Sequence, residues 1–254
     1  MFHKAIIKWI LVSLICVFIN ACSTINGSRA GSTNEKQAEL YLQMGVRYLE
    51  MNKLKTAKEK LETSLAFDSK NAEIHNALGV LTERLKQYDI AREYYQDAFS
   101  RDSKNASINN NYGRFLCDRG EYDKGKNLLK QALAMPLNNR KWFAFTNIGR
   151  CELRQGQQQL AESNFRQALQ QNSRYSPALF EMQKISYRDG KYMSARAFLE
   201  RYLAVANHNE ETLWYAVQTE RVLGNKELSE EYRDKLLIQF PASKQAQQLK
   251  TAIR

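Results

Sequence analysis

The side chains that most often carry catalysis are scarce in this sequence. Its 254 residues include three histidines, His3, His75 and His208, which are far apart along the chain. It contains no Gly-x-Ser-x-Gly nucleophile motif, no complete P-loop and no His-Glu-x-x-His zinc motif. Because histidine clusters supply many acid–base and zinc sites, we expect a protein that is not an enzyme and that binds no metal or other cofactor non-covalently.

The sequence around Cys22 predicts a covalent modification of this cysteine. Residues 1–9 carry two lysines and no acid, and residues 10–19 are uncharged, which fits a signal peptide and is too short to span a bilayer. The segment Ile19-Asn20-Ala21-Cys22 that follows resembles a bacterial lipobox, with Asn20 in place of the usual small residue. This resemblance implies cleavage before Cys22 and a covalent lipid on it, whereas a plain secretory signal is the alternative.

The residues after Cys22 predict where the anchored protein would lie. Ser23 replaces the aspartate that retains lipoproteins in the inner membrane, so the lipobox resemblance implies the outer membrane of a Gram-negative bacterium, facing the periplasm. Residues 23–35 are small and polar, so we assign 1–21 to the signal peptide and 22–35 to the lipidated cysteine and a flexible tether.

Cys117 and Cys151 are the two cysteines left after removal of the signal and acylation of Cys22. An oxidising periplasm leaves a disulfide and two packed thiols both open. The two cysteines fall at different offsets of neighbouring repeats, and we therefore favour packed thiols.

The chain is basic, with a formal net charge of +11. Removing residues 1–21, which hold two lysines and no acid, leaves +9. A periplasmic location argues against nucleic acid as the partner. Anionic headgroups, an acidic stretch on a protein partner, or simply a solvated basic surface stay open.

Small residues recur with a period of 34. Glycine occupies positions 45, 79 and 113 and then 149, and a second column of small residues runs through positions 57, 91, 125, 161, 195 and 229. A third column holds the residues at which one helix would end and the next begin: Asn52, Lys86, Gly120, Gly156, Gly190 and Gly224. A left-handed backbone at that turn suits glycine or asparagine, and Lys86 is the exception.

This period and these small-residue columns resemble the tetratricopeptide repeat, whose unit is a pair of antiparallel helices. The resemblance implies an all-α, right-handed superhelical solenoid of six repeats with a monomeric body. The helical domain covers 36–254, with its repeats and closing helix at 38–71, 72–105, 106–141, 142–175, 176–209, 210–243 and 244–254.

Candidate partner-binding residues lie on the first helix of each repeat, which lines the concave face of such solenoids. Leu42, Val46 and Leu49 share one helix face in repeat one and predict an apolar docking strip. The alternative is that they seal against the tether or a neighbouring helix. The repeats that follow contribute the further candidates Asn76, Val80, Asn110, Asn111 and Arg114.

The third repeat has an unusual sequence. It begins with Asn109-Asn110-Asn111-Tyr112-Gly113-Arg114-Phe115-Leu116, and it contains two extra residues before Trp142. Asparagine is a poor helix former, so these amides either grip a peptide backbone or serve as a helix cap and polar surface.

Together, the asparagine run, the enlarged third repeat, the six repeats and the lipobox resemble the type IV pilus biogenesis lipoproteins of the PilF/PilW family. The resemblance implies a pilotin, a scaffold that brings the pilus secretin to the outer membrane and promotes its multimerisation. The alternative is a tetratricopeptide lipoprotein that acts in outer-membrane β-barrel assembly or in a cell-wall enzyme complex.

Overall fold

The computed structural model describes the backbone of residues 23–251 and the side chains of residues 33–251. The signal peptide and Cys22 lie outside this range. Thirteen helices and no strands make up the described part of the chain. The helices are α1 Ser23–Glu50, α2 Leu54–Phe67, α3 Ala72–Arg84, α4 Tyr88–Arg101, α5 Ala106–Asp118, α6 Tyr122–Ala134, α7 Lys141–Arg154, α8 Gln158–Gln171, α9 Ser176–Arg188, α10 Tyr192–Leu203, α11 Glu210–Val222, α12 Lys226–Gln239 and α13 Lys244–Thr251.

The predicted all-α repeat fold is confirmed. Each of the six predicted repeats contains one helical hairpin, in which the odd-numbered helix, called helix A below, packs against the even-numbered helix that follows. The described chain divides between Ser103 and Lys104 into two compact units. The first unit holds α1–α4 and the second holds α5–α13. Within residues 23–251, no helix is both long enough and apolar enough to cross a membrane.

Glycine on helix A makes room for a bulky side chain on the second helix of the hairpin. A Cβ atom added to Gly79 would lie 2.8 Å from the ring of Tyr95, and one added to Gly149 would lie 2.8 Å from the ring of Phe165. Both rings are fully buried. These glycines therefore set the close approach of the two helices, because any larger side chain would push the ring out of the core.

The turn within each hairpin has the left-handed backbone that the sequence predicts. All six residues of the third column have positive φ, including Lys86 at +62°. A lysine thus occupies a conformation that glycine adopts without steric cost.

The first helix differs from its prediction. We expected a flexible tether over residues 23–35, but this segment continues α1 toward the amino terminus, so that expectation is wrong for its backbone. No proline lies between residues 23 and 50, and the hydrogen-bond ladder of the packed part of α1 can therefore extend through weak helix formers.

Cys117 and Cys151 form a disulfide, so the expectation of two packed thiols is wrong. Their Cα atoms are 5.4 Å apart, and both side chains are buried between α5 and α7. Equal offsets on neighbouring parallel helices point in the same direction. A shift of two residues turns a side chain by about 200°, toward the neighbouring helix. The unequal offsets, which led us to expect two packed thiols, therefore bring the two sulfurs together.

Candidate functional site

One stripe of each helix A includes residues that stay open to solvent. In α7 it begins with the exposed Phe143 and ends with the exposed Arg154, and the buried Asn147 and the partly buried Arg150 lie between them. These residues are repeat positions 2, 6, 9 and 13, whose spacing of four, three and four residues keeps them on one side of a helix. We call this stripe the A-helix face.

The apolar strip predicted in repeat one is not open. Leu42 and Leu49 are 8% and 3% exposed and belong to the core of the first unit, where Ile74 and Leu78 of α3 also lie. Their expected role as an exposed docking surface is wrong, because positions 5 and 12 turn toward the neighbouring helix A rather than toward solvent. Val46, at position 9, is the open member of the three, with 38% of its surface exposed.

The second repeat continues this face with Asn76 and Val80. Val80 is partly buried against the same core cluster. The Asn76 side chain is 5% exposed, and its amide donates to the Glu73 carboxylate at 3.3 Å. On the first unit, Val46 and Val80 therefore offer a small apolar surface, with Glu39, Glu50 and Glu73 on the same stripes.

Side chains of α3 tie the first two hairpins together. The Arg84 guanidinium donates to the Leu49 carbonyl oxygen near the end of α1, which also accepts from the backbone N–H of Asn52. The buried His75 ring lies 2.9 Å through Nε2 from the Ser69 carbonyl oxygen, and its ring packs near Tyr94. These contacts give His75 a structural role.

The asparagine run connects two repeats of the second unit. Asn105, not the run itself, caps α5 by accepting from the backbone N–H groups of Ser107 and Ile108. Asn110 accepts a hydrogen bond from the Asn147 amide of α7 at 3.0 Å. Its own amide points to the partly buried Asn111, with 3.4 Å between donor and acceptor. The amides of the run thus help to set the spacing between α5 and α7.

On the A-helix face of α5, α7 and α9, in the second unit, basic side chains outnumber acidic ones. Asp118 accepts from Arg114 at 3.0 Å and from Arg154 at 2.7 Å. On α9, Glu181 pairs with Arg150 of α7 at 3.0 Å and with Lys184 of its own helix at 2.9 Å. Each carboxylate therefore bridges two cations, and the two bridges leave a surplus of positive charge.

Aromatic rings border this charged surface. The ring of Phe143 packs edge-on against Tyr175 with 5.2 Å between centroids. Burial raises the pKa of Tyr175, and the nearby Arg150 partly offsets that rise. The phenol therefore stays protonated at neutral pH and remains a hydrogen-bond donor.

Asn147, Glu181 and Lys184 belong to this face but were missed as candidates in the sequence. We expected positions 5 and 12 to line the groove, whereas position 6 contributes Asn147 and Glu181. The helical spacing of 143, 147, 150 and 154 was the available signal, since all four positions fall on one side of α7.

The sequence profile of the tetratricopeptide repeat matches residues 42–106. The type IV pilus assembly protein PilF of Pseudomonas aeruginosa is 25% identical over 241 residues, covering 94% of this chain and 96% of PilF. The chain is a tetratricopeptide-repeat protein homologous to PilF.

Solved structures agree with this relationship. A structure of Pseudomonas aeruginosa PilF superimposes with a TM-score of 0.72 at 25% identity, covering 87% of this tetratricopeptide-repeat protein and 99% of that chain. PilW, described as a widely conserved type IV pilus biogenesis factor, superimposes with a TM-score of 0.71 at 28% identity, covering 84% and 97% of the two chains. The match thus runs nearly from end to end of both relatives.

Proposed function

We propose that this protein is a non-enzymatic scaffold of type IV pilus biogenesis. The observation that carries the proposal is the end-to-end homology to PilF, which covers 94% of this chain and 96% of PilF. A shared repeat alone would support only a shared fold. Because the homology to PilF covers nearly the whole length of both chains, it also includes the number and order of the repeats. The A-helix faces fit such a role, because repeat proteins use this surface to hold partners.

In its finer form, the proposal is a pilotin. The protein is anchored in the outer membrane by a lipid on Cys22, faces the periplasm as a monomer, and promotes outer-membrane localisation and multimerisation of the pilus secretin. The lipobox and the asparagine run support this form. Cys22→Ser should block acylation, so the protein should then leave the outer-membrane fraction; an unchanged membrane fraction would contradict the lipid anchor.

The burial of Leu42 and Leu49 changes which residues are proposed to meet the secretin. Aspartate at either position would place a charge in the core and unfold α1, so such a variant reports on folding rather than docking. Val46, at 38% exposure, can be changed without opening the core. Val46 and Val80 are therefore the proposed apolar contact of the first unit, while Asn111 and Arg114 are proposed contacts of the second. Asn76 and Asn110, at position 5 like Leu42, turn toward the neighbouring helix A and are not retained as proposed contacts.

The test is co-purification of the secretin with the protein from detergent-solubilised envelopes. We expect the unchanged chain to retain the secretin and Val46→Asp to lower the retained amount by about tenfold, as expected for loss of an apolar contact and addition of a charge. Leu40→Asp is the matched control, because Leu40 lies on another side of the same helix and is 55% exposed. Recovery of β-barrel assembly proteins or cell-wall enzymes in place of the secretin would contradict the pilotin proposal.

A further inference from the structure

Five cations line the A-helix face of α5, α7 and α9 in the second unit. We call them the basic face, and they are Arg114, Arg150, Arg154, Lys184 and Arg188. The stripe at positions 2, 6, 9 and 13 of these three helices holds two acids, Asp118 and Glu181. This surface therefore has three more positive than negative charges. The A-helix face of the first unit differs, because it carries glutamates.

Each acid is less exposed than the arginines with which it pairs. The Glu181 side chain is 7% exposed and that of Asp118 is 20% exposed, whereas Arg150 and Arg154 are 35% and 45% exposed. A molecule that approaches this face meets guanidinium groups first. The two carboxylates hold those groups in fixed positions, which lowers the entropy lost when a ligand binds.

The geometry of arginine favours carboxylate as the ligand group. Arg150 donates through Nε to Glu181, and Arg154 donates through one terminal nitrogen to Asp118. A guanidinium carries five N–H donors in a plane that matches a carboxylate edge. Arg188, whose terminal nitrogen lies 3.3 Å from the Tyr215 hydroxyl, has a neutral partner in place of an acid.

The repeat sets the spacing between these cations. Neighbouring packed helices lie roughly 8–10 Å apart, so position 9 recurs at that interval as Arg114, Arg150 and Lys184. A peptide in the extended polyproline II conformation advances about 3.1 Å per residue with three residues per turn, so every third side chain would face the next repeat. Phe143, 36% exposed on the same stripe, adds an apolar contact beside the cations.

We propose that the basic face is a second binding site, which takes an extended acidic peptide segment of a partner protein with carboxylates about three residues apart. Charge complementarity selects this occupant. A membrane surface would be expected to use long, mobile lysines, whereas four of these five cations are arginines and two carboxylates fix four of the five in place. The site includes Arg114, which is also a proposed secretin contact, and it does not depend on whether the apolar surface of the first unit binds a secretin.

Fluorescence anisotropy with a labelled peptide tests this site. The full chain, purified in neutral detergent, is titrated against a peptide of about twelve residues with glutamate at every third position and serine elsewhere. The matched peptide has glutamine in place of each glutamate. We expect the glutamate peptide to bind about tenfold more tightly than the glutamine peptide, and its affinity to fall when salt is raised from about 0.05 M to 0.3 M.

Variants separate a specific site from general attraction. Arg150→Gln with Arg154→Gln should weaken binding of the glutamate peptide by about tenfold. Lys124→Gln with Lys130→Gln removes the same charge from the exposed side of α6 and should change affinity by less than about twofold. Arg188→Gln touches neither carboxylate bridge and should weaken binding by about threefold, which keeps the test valid if the arginine pair proves necessary for folding.

Three results would overturn the proposal. The first is equal affinity for the glutamate and glutamine peptides. The second is an equal loss of affinity in the two double variants, which would make the attraction a matter of net charge. The third is binding to phosphatidylglycerol vesicles with no binding to the glutamate peptide, which would make the basic face a lipid contact.

Discussion

Lys86 occupies a turn position whose left-handed backbone conformation favours glycine. It adopts φ +62° with an exposed side chain, in a column where four of the six residues are glycine. A left-handed conformation costs a residue with a Cβ roughly 1–2 kcal/mol, and the greater freedom of glycine in the unfolded chain offsets part of the gain. We expect Lys86→Gly to raise the free energy of unfolding by about 0.5–1 kcal/mol, measured by urea denaturation.

The reverse change provides the control for Lys86. Gly156 has φ +74° with nothing within 4 Å of an added Cβ, so Gly156→Lys should destabilise by a similar amount through the backbone alone. A Lys86→Gly protein that is less stable than the parent would show that the lysine side chain stabilises this turn.

Gly125 occupies a position where four of the six repeats have alanine. A Cβ at Gly125 would lie 2.6 Å from the Gly113 carbonyl oxygen and 2.6 Å from the Cys117 sulfur. The disulfide and the close approach of α5 thus leave no room for alanine. Gly125→Ala should lower the free energy of unfolding by about 1–3 kcal/mol despite the higher helix propensity of alanine. Asn127→Ala, on the exposed side of the same helix, should be neutral or stabilising, and equal effects of the two changes would contradict this explanation.

At the scale of elements, the Cys117–Cys151 disulfide ties α5 to α7, two helices that carry the basic face. Asp118 and Arg150 are the sequence neighbours of the two cysteines, so the bond fixes the spacing of the carboxylate bridges. The cysteines are 34 residues apart, and closing a loop of that size contributes about 2–4 kcal/mol.

We therefore expect Cys117→Ser with Cys151→Ser to lower the melting temperature and to weaken binding of the glutamate peptide. The unchanged protein in reductant should behave like the double variant, and Cys151→Ser alone should match both. An unchanged melting temperature would mean that packing between α5 and α7 holds the two helices without the bond.

The hairpins and their turns could be predicted from the sequence because each depends on local residues. The six-residue turn column and the glycines opposite Tyr95 and Phe165 follow from steric rules that act within one repeat. The same local rules failed for residues 23–35, where weak helix formers continue a helix that is stabilised further along the chain.

Contacts between repeats were harder to predict from the sequence than contacts within one repeat. Whether Leu42 and Leu49 face solvent or the next helix A depends on how neighbouring hairpins are rotated, which a 34-residue period does not specify. The same rotation decides that Cys117 meets Cys151 and that Asn147 reaches Asn110. Pairing between helices is a property of the stack, so position within a single repeat gave the wrong face for positions 5 and 12.

At the scale of the whole molecule, the two units offer different surfaces. The first unit has a small apolar surface around Val46 and Val80 bordered by glutamates, and the second has the basic face. A scaffold with two chemically distinct surfaces can hold two segments, and linking two modest contacts raises the overall affinity well above that of either one. The presence of two chemically different surfaces fits the proposed role in secretin assembly.

The proposed role of this protein is to promote multimerisation of the pilus secretin. The most direct measurement is the ratio of detergent-resistant secretin multimer to monomer in envelopes of a strain that lacks the chain. We expect the multimer to fall by about tenfold or more without the protein and to return when the unchanged gene is restored. A multimer-to-monomer ratio that stays the same in the absence of the chain would contradict this role.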